Sequence, residues 1–356
     1  MLTRRSLLRL AALAPLTLSA RRAAAQSDDW KRVVEGARKE GNSDDWKRVV
    51  EGARKEGKVV MYSGAVGNPM TPKIATAFEA KYGVRLEVLE ARASELRERV
   101  RTEQASGRVL GDVSHNGSTS TALQIADGNV FQPFGALPNA ARPVAPFKAD
   151  TLRVPVYVIP YGILVNTEMV KSAEEPKSWP DVLAPRWKGQ ILADDMRALG
   201  GGAVFFMVTY QQLGRGFHDR LALQQPHMNR ELRGNYRRVA RGEYALYLPF
   251  TLPDVLDLKD LPVKAIVPAE GCPYVRFDGA MFRNAPHPNA ARLLLDFYLG
   301  DETQSIYATM GFRPVVAGLE GKVPDAARPL IQTKLMGTTD PKLQDEMLKT
   351  ATQIYK

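Results

Sequence analysis

From Lys58 onward the chain alternates short apolar runs with helix-patterned segments, which restricts it to an α/β architecture. Val59–Tyr62, Val84–Leu89 and Leu110–Ser114 read as strands. Between them, Thr71-Pro72 marks a helix start running to about Tyr82, and Ser94 caps a charged helix to about Ser106. A polar Gly-Ser-Thr loop and a helix over Thr121–Ala126 follow. Such short-looped alternation argues for a parallel sheet. Val154–Ile159 and Gly162–Asn166, with prolines around them, suit strands that cross between two units. Beyond them lie a strand at Gln190–Ala193 and a helix opened by Gly200-Gly201-Gly202-Ala203 that runs to about Leu213. Tyr244–Leu248, Val263–Val267 and Val275–Phe277 read as strands, and Pro288–Leu299, Thr303–Met310 and a tail near Lys342–Ile354 as helices.

The first 25 residues form a leader: a basic head, an apolar run from Leu10 to Leu18, and the small residues Ala23-Ala24-Ala25. The run is shorter than the ~20 apolar residues a bilayer span needs. Thr3-Arg4-Arg5-Ser6-Leu7-Leu8-Arg9 matches the twin-arginine pattern, with Leu7 and Arg9 where Phe and Lys are usual. The expected location is the periplasm, after cleavage near Ala25. The formal charge of +10 counts 49 basic against 39 acidic residues; loss of the five leader arginines leaves 44 against 39, a balance of +5. No block of Lys and Arg interleaved with aromatics follows, which argues against nucleic acid as a partner. The mild positive bias is compatible with an anionic small ligand. Cys272 is the only cysteine, so no internal disulfide can form. About 330 mature residues suffice for two domains with cores of their own.

Ser27–Gly41 and Ser43–Gly57 are the same fifteen residues, SDDWKRVVEGARKEG, written twice. Trp46, Val49, Val50 and Ala53 make one apolar stripe on a short helix. Two copies are too few for a solenoid. Only the second copy runs directly into the first strand, so that copy is expected to dock.

Several stretches resemble the extracellular solute-binding proteins of ABC importers, in the branch that holds ferric-ion, hexose-phosphate and phosphonate binders. They include NAPHPNAARLLLDF from Asn284 to Phe297, Gly311-Phe-Arg-Pro314, Tyr161 to Thr167, Trp179-Pro-Asp-Val-Leu183 with Trp187-Lys-Gly189, and Gly242-Glu243-Tyr244. The resemblance implies a two-lobed periplasmic-binding fold of type II, a ligand cleft between lobes joined by crossing strands, no enzymatic activity, no cofactor, and delivery of ligand to an inner-membrane ABC permease by a monomer. The expected segments are the leader at 1–25, the duplicated helices at 26–57, lobe 1 at 58–153, lobe 2 at 154–272, and a return to lobe 1 with C-terminal helices at 273–356.

Ferric-ion members commonly place a His or Tyr after the first strand and a Tyr pair after the strand that follows Gly-Glu. Here the first loop is Ser63-Gly-Ala-Val-Gly-Asn68, and the pair falls near Phe250 and Thr251. Tyr244 and Tyr247 remain candidate iron ligands, and a ferric carrier is the alternative reading. The preferred ligand is a small organic anion bearing a carboxylate, phosphate ester or phosphonate. In the ferric relatives the turn matching Gly200–Ala203 cradles a phosphate, and a glycine-rich helix start offers exposed N–H groups and a positive dipole end. Gly201, Gly202 and Ala203 are therefore expected to bind the anion, with Arg197 gripping it as a fork. Ser63, Gly64 and Ser94 at the first strand–helix turns, Ser118 and Thr119 after the third strand, and Tyr247 complete the expected site. His115, His218, His227 and His287 lack metal-ligand spacing and are expected to be structural or at the surface. A second alternative, an exported α/β hydrolase or lyase, lacks any nucleophile and base in a recognisable pattern.

Overall fold

The computed structural model describes residues 44–356; the leader and the first repeat copy lie outside the described residues. Chain order is α1 (Asp44–Glu56), β1 (Lys58–Ser63), α2 (Met70–Tyr82), β2 (Arg85–Glu90), α3 (Ala93–Ser106), β3 (Val113–Gly117), α4 (Ser118–Ala126) and β4 (Arg153–Asn166). Then follow β5 (Ile191–Asp194), α5 (Gly201–Leu213), α6 (Arg215–Leu223), β6 (His227–Asn229), α7 (Leu232–Ala240), β7 (Leu246–Thr251), β8 (Val263–Ile266) and β9 (Cys272–Met281). The chain closes with α8 (Pro288–Tyr298), α9 (Asp301–Thr309), β10 (Arg313–Pro314), α10 (Arg328–Ile331), β11 (Leu335–Gly337) and α11 (Gln344–Ile354).

The strands line up in the order β2-β1-β3-β9-β4-β7-β5-β6, with β8 and β10 on β4 and β11 on β9. Pairing is parallel at both ends, β2-β1-β3 and β7-β5-β6. The middle is antiparallel: β9 runs against β3 and β4, and β4 against β7. The sheet is thus mixed rather than parallel, a correction with a simple cause. The two apolar runs expected at 154–166 are one fourteen-residue strand, β4, which crosses from one end to the other, and β9 crosses back.

Each end carries its own core. Val59, Phe78, Val154, Leu294 and Phe297 belong to one, and Trp179, Trp187, Phe205, Phe206 and Leu246 to the other. Full burial of such side chains contributes about 1.5–3 kcal/mol apiece. Both tryptophans serve packing, and their indoles donate to Gly271 O and Asp181 O, each at 2.9 Å. The C-terminal helix α11 adds Met347 and Ala351 to the second core, and Tyr355 just past its end joins them.

The second repeat copy docks. α1 buries Val49 and Ala53, while Trp46 and Val50 pack half-buried against the first core. A Cβ on Gly52 would come within 2.7 Å of the Asn289 side chain, so glycine is what lets α1 approach α8. Glu56 then caps α8, accepting from the backbone N–H groups of Asn289 at 3.2 Å and Ala290 at 2.7 Å.

Candidate ligand cleft

The two parallel ends of the sheet bring their strand C-termini toward a common space, as open α/β sheets do where ligands collect. β1 ends at Ser63, β3 at Gly117, β5 at Asp194 and β7 at Thr251. β4 runs between them and contributes Tyr157 and Tyr161, both buried.

Asp194 dominates the second-core side. It is 6 % exposed, accepts from the Gly202 N–H at 2.6 Å, and lies at the N-terminus of α5. Burial pushes its carboxyl up to about 6, against the pull of the Gly202 and Asp195 N–H groups and of Arg230. The glycine run therefore already receives an anion from its own chain. Gly200 holds φ +152°, a conformation that side chains rarely adopt. A Cβ on Gly201 would stand 3.2 Å from Asp194 Oδ2 and 3.3 Å from the Tyr161 ring. One on Gly202 would strike the Asp195 backbone at 2.6 Å. Close packing of helix on strand explains Gly202, and Ala203 is buried in the same first turn.

Arg197 is engaged elsewhere. Its fork meets both Asp195 carboxylate oxygens at 2.9 and 3.1 Å, and Nη1 donates to Tyr355 O at 3.2 Å. Adjacent carboxylates thus take separate tasks, Asp194 on α5 and Asp195 on Arg197.

Tyr247 is fully buried, edge-on to Tyr236 at 5.5 Å, with the Asn235 side chain beside its hydroxyl. Burial pushes its phenol well up, and the nearby Asp194 adds to the shift. Tyr244 is apart from it. Strand β7 starts only at Leu246, and Tyr244 lies under the Arg238 guanidinium at 4.9 Å. Asp254, which accepts from the Tyr236 hydroxyl at 2.9 Å, also acts on Tyr157, Tyr161 and Tyr247.

On the first-core side Ser63 is fully buried, with Oγ 3.0 Å from His115 Nδ1 and accepting from the Ala65 N–H. Burial drives the His115 imidazole down to about 3, so the ring is neutral. Gly64 donates to His115 O, and a Cβ there would overlap Asn116 Oδ1, itself buried with no partner among the described residues. Ser118 and Thr119 form the first turn of α4, which no side chain caps, and the Thr119 hydroxyl touches that of Thr339. Ser94 is not the cap of its helix. α3 starts one residue earlier, after Arg92, and Ser94 sits exposed in a shallow hollow with Glu95, Glu98 and Glu103.

Among the described residues no three His, Cys, Asp or Glu side chains gather as a metal would need. His218 bridges Thr209 at 2.8 Å and the Tyr355 hydroxyl at 2.7 Å, while His287 pairs with Asp112 at 2.8 Å. Candidate cleft residues that the sequence pattern does not single out are Tyr157, Tyr161, Asp194, Asn116 and Asp254. Tyr161 stands in a family motif, but the sequence pattern marks its strand as a crossing and not as a cleft wall.

A family described as bacterial extracellular solute-binding protein matches residues 120–335. The chain belongs to that family. This solute-binding protein is 25% identical over 264 residues to an uncharacterized protein of Haemophilus influenzae, spanning 70% of this chain and 75% of the relative. Solved structures share its two-lobed fold. The ferric binding protein from Campylobacter jejuni superposes with TM-score 0.69 at 19% identity, covering 83% of this chain and 98% of that one. The substrate binding protein of an ABC transporter from Agrobacterium tumefaciens gives 0.73 at 16%, covering 86% and 97%. AfuA from Actinobacillus pleuropneumoniae, with fructose-6-phosphate bound, gives 0.64 at 20%, covering 84% and 96%.

Proposed function

We propose that this is the periplasmic binding protein of an ABC importer, and that its cleft captures a small organic anion carrying hydroxyl groups, a sugar phosphate or hydroxy acid. The observation that carries the ligand class is Asp194 seated on the Gly202 N–H. With that helix start occupied by a carboxylate, the second lobe offers acceptors, Asp194 with the Tyr161 phenol beside it, which suit ligand hydroxyls. The anionic group is then served from the first lobe, at the uncapped start of α4 with the Ser118 and Thr119 hydroxyls. Hinge closure about a ligand is the motion known for periplasmic binding proteins. The lobes extend over 58–153 and 154–272, with the return to lobe 1 after Cys272. After closure the loaded protein presents its ligand to a membrane permease.

A thermal-shift panel tests this. Hexose phosphates and hydroxy acids at 100 times their dissociation constant should each add ~2.7 kcal/mol of stability, with no turnover. Free hexoses should add far less. A stabilisation by Fe(III) alone, with a visible tyrosinate band lost in Tyr247→Phe, would instead support the ferric reading; product release would support the hydrolase.

A further inference from the structure

The crossing strands have a second face. Register places Arg276 on β9, Val158 on β4 and Arg313 on β10 in one row across three strands. The neighbouring row is Phe277, Tyr157 and Pro314. Successive side chains on a strand alternate in direction, so both arginines leave the sheet on the side opposite Tyr157. Tyr274, two residues before Arg276, shares their side, and Phe147 packs edge-on to its ring at 6.1 Å.

Charge on this face is not balanced. Arg276 forks onto fully buried Asp278 at 2.6 and 2.9 Å. Arg153 divides itself between Asp150 at 3.0 Å and Asp278 at 3.4 Å. Arg313 has neither carboxylate: its Nη1 donates to Thr333 O at 2.9 Å, and it forms no ion pair among the described residues. Burial pulls its guanidinium down from the usual range, with Tyr274 opposing the shift. The same two guanidinium groups, of Arg276 and Arg313, act on the Tyr274 phenol. A half-buried cation without a counter-ion is costly, and an arriving anion relieves that cost.

We propose that Arg313, Arg276 and Tyr274 bind a small oxyanion, a phosphate or carboxylate group, on the face of the crossing strands opposite Tyr157. Arg313 supplies its free N–H edge, Arg276 the edge not used by Asp278, and Tyr274 its hydroxyl. An anion held there ties β9 to β10 across β4, the strand that joins the lobes, and so sets how far the hinge opens.

Titration of inorganic phosphate, and separately of acetate, into the full mature chain reads the site directly. Saturable binding of at least one of them is expected. Arg313→Ala should weaken it at least tenfold, Arg313→Lys several-fold because the fork is lost, and Tyr274→Phe a few-fold. Arg101→Ala, which removes an exposed arginine of α3 paired with Glu98, should leave it unchanged. If Arg313→Ala fails to melt cooperatively, Arg313→Lys decides. No saturable binding by the unsubstituted protein, undiminished affinity in the folded Arg313 variant, or an equal loss of binding in Arg101→Ala would each overturn the proposal.

Discussion

Asp194 carries a charge that its surroundings resist. Its folded-state carboxyl titrates near 6, above the unfolded value of 3.8, so folding holds its proton more tightly. The sign follows by linkage: its contribution favours the folded state below pH 4 and is lost as pH rises through 6. Asp194→Asn keeps an oxygen for the Gly202 N–H and removes the buried charge. That variant should melt higher than the natural chain at pH 7.5, by on the order of 2 kcal/mol, and no higher at pH 4. Its affinity for a hydroxylated anion should nevertheless fall, because the carboxylate that receives ligand hydroxyls is gone. Calorimetric melts at the two pH values check the first statement, and titration the second. Arg197→Ala has the opposite profile: with its fork committed to Asp195 and Tyr355, it should lower Tm and leave ligand affinity unchanged. Gly202→Ala should cost about 1–3 kcal/mol of stability with or without ligand, since its Cβ meets backbone that cannot rotate away.

At the scale of elements, what could be read from the sequence was whatever depends on local pattern. The helices at 70–82, 288–298 and 344–354 and the strand at 85–90 fall within a few residues of their sequence positions, because apolar period and Gly or Pro punctuation set them locally. The antiparallel middle of the sheet was not legible. Whether β4 and β9 run with or against their neighbours depends on where the chain goes between Asn166 and Cys272, and no local pattern records that. The glycine run at 200–202 is visible in the sequence, but not the carboxylate that occupies it, since the Asp194–Gly202 contact follows from how β5 and α5 pack and leaves no local pattern. The docked repeat gives this scale its test. Glu56→Ala removes the acceptor for two N–H groups at the start of α8 and should cost about 0.5–2 kcal/mol. Deleting residues 27–42 keeps the residues by which α1 meets α8 and should leave Tm and ligand binding nearly unchanged.

Across the whole molecule the chain passes between the two cores more than twice. β4 leads out and β9 leads back, and then β11 pairs beside β9 while α11 settles against the second core. The C-terminal tail therefore ties into the lobe that holds Asp194, through Tyr355 on His218 and Arg197. Two cores flanking one pair of crossing strands make a body whose softest motion is a rotation of one lobe against the other. The central claim is that a single ligand, held by Asp194 on one lobe and by the start of α4 on the other, drives that rotation. Spin labels at Glu79→Cys and Leu223→Cys, both exposed and on different lobes, report it without interference from Cys272, which is fully buried. Pulsed dipolar spectroscopy should show the label separation shorten on saturation with a hexose phosphate in the natural background and stay at the ligand-free value with Asp194→Ala. Saturable binding with an unchanged separation, or full shortening in the Asp194→Ala background, would contradict it.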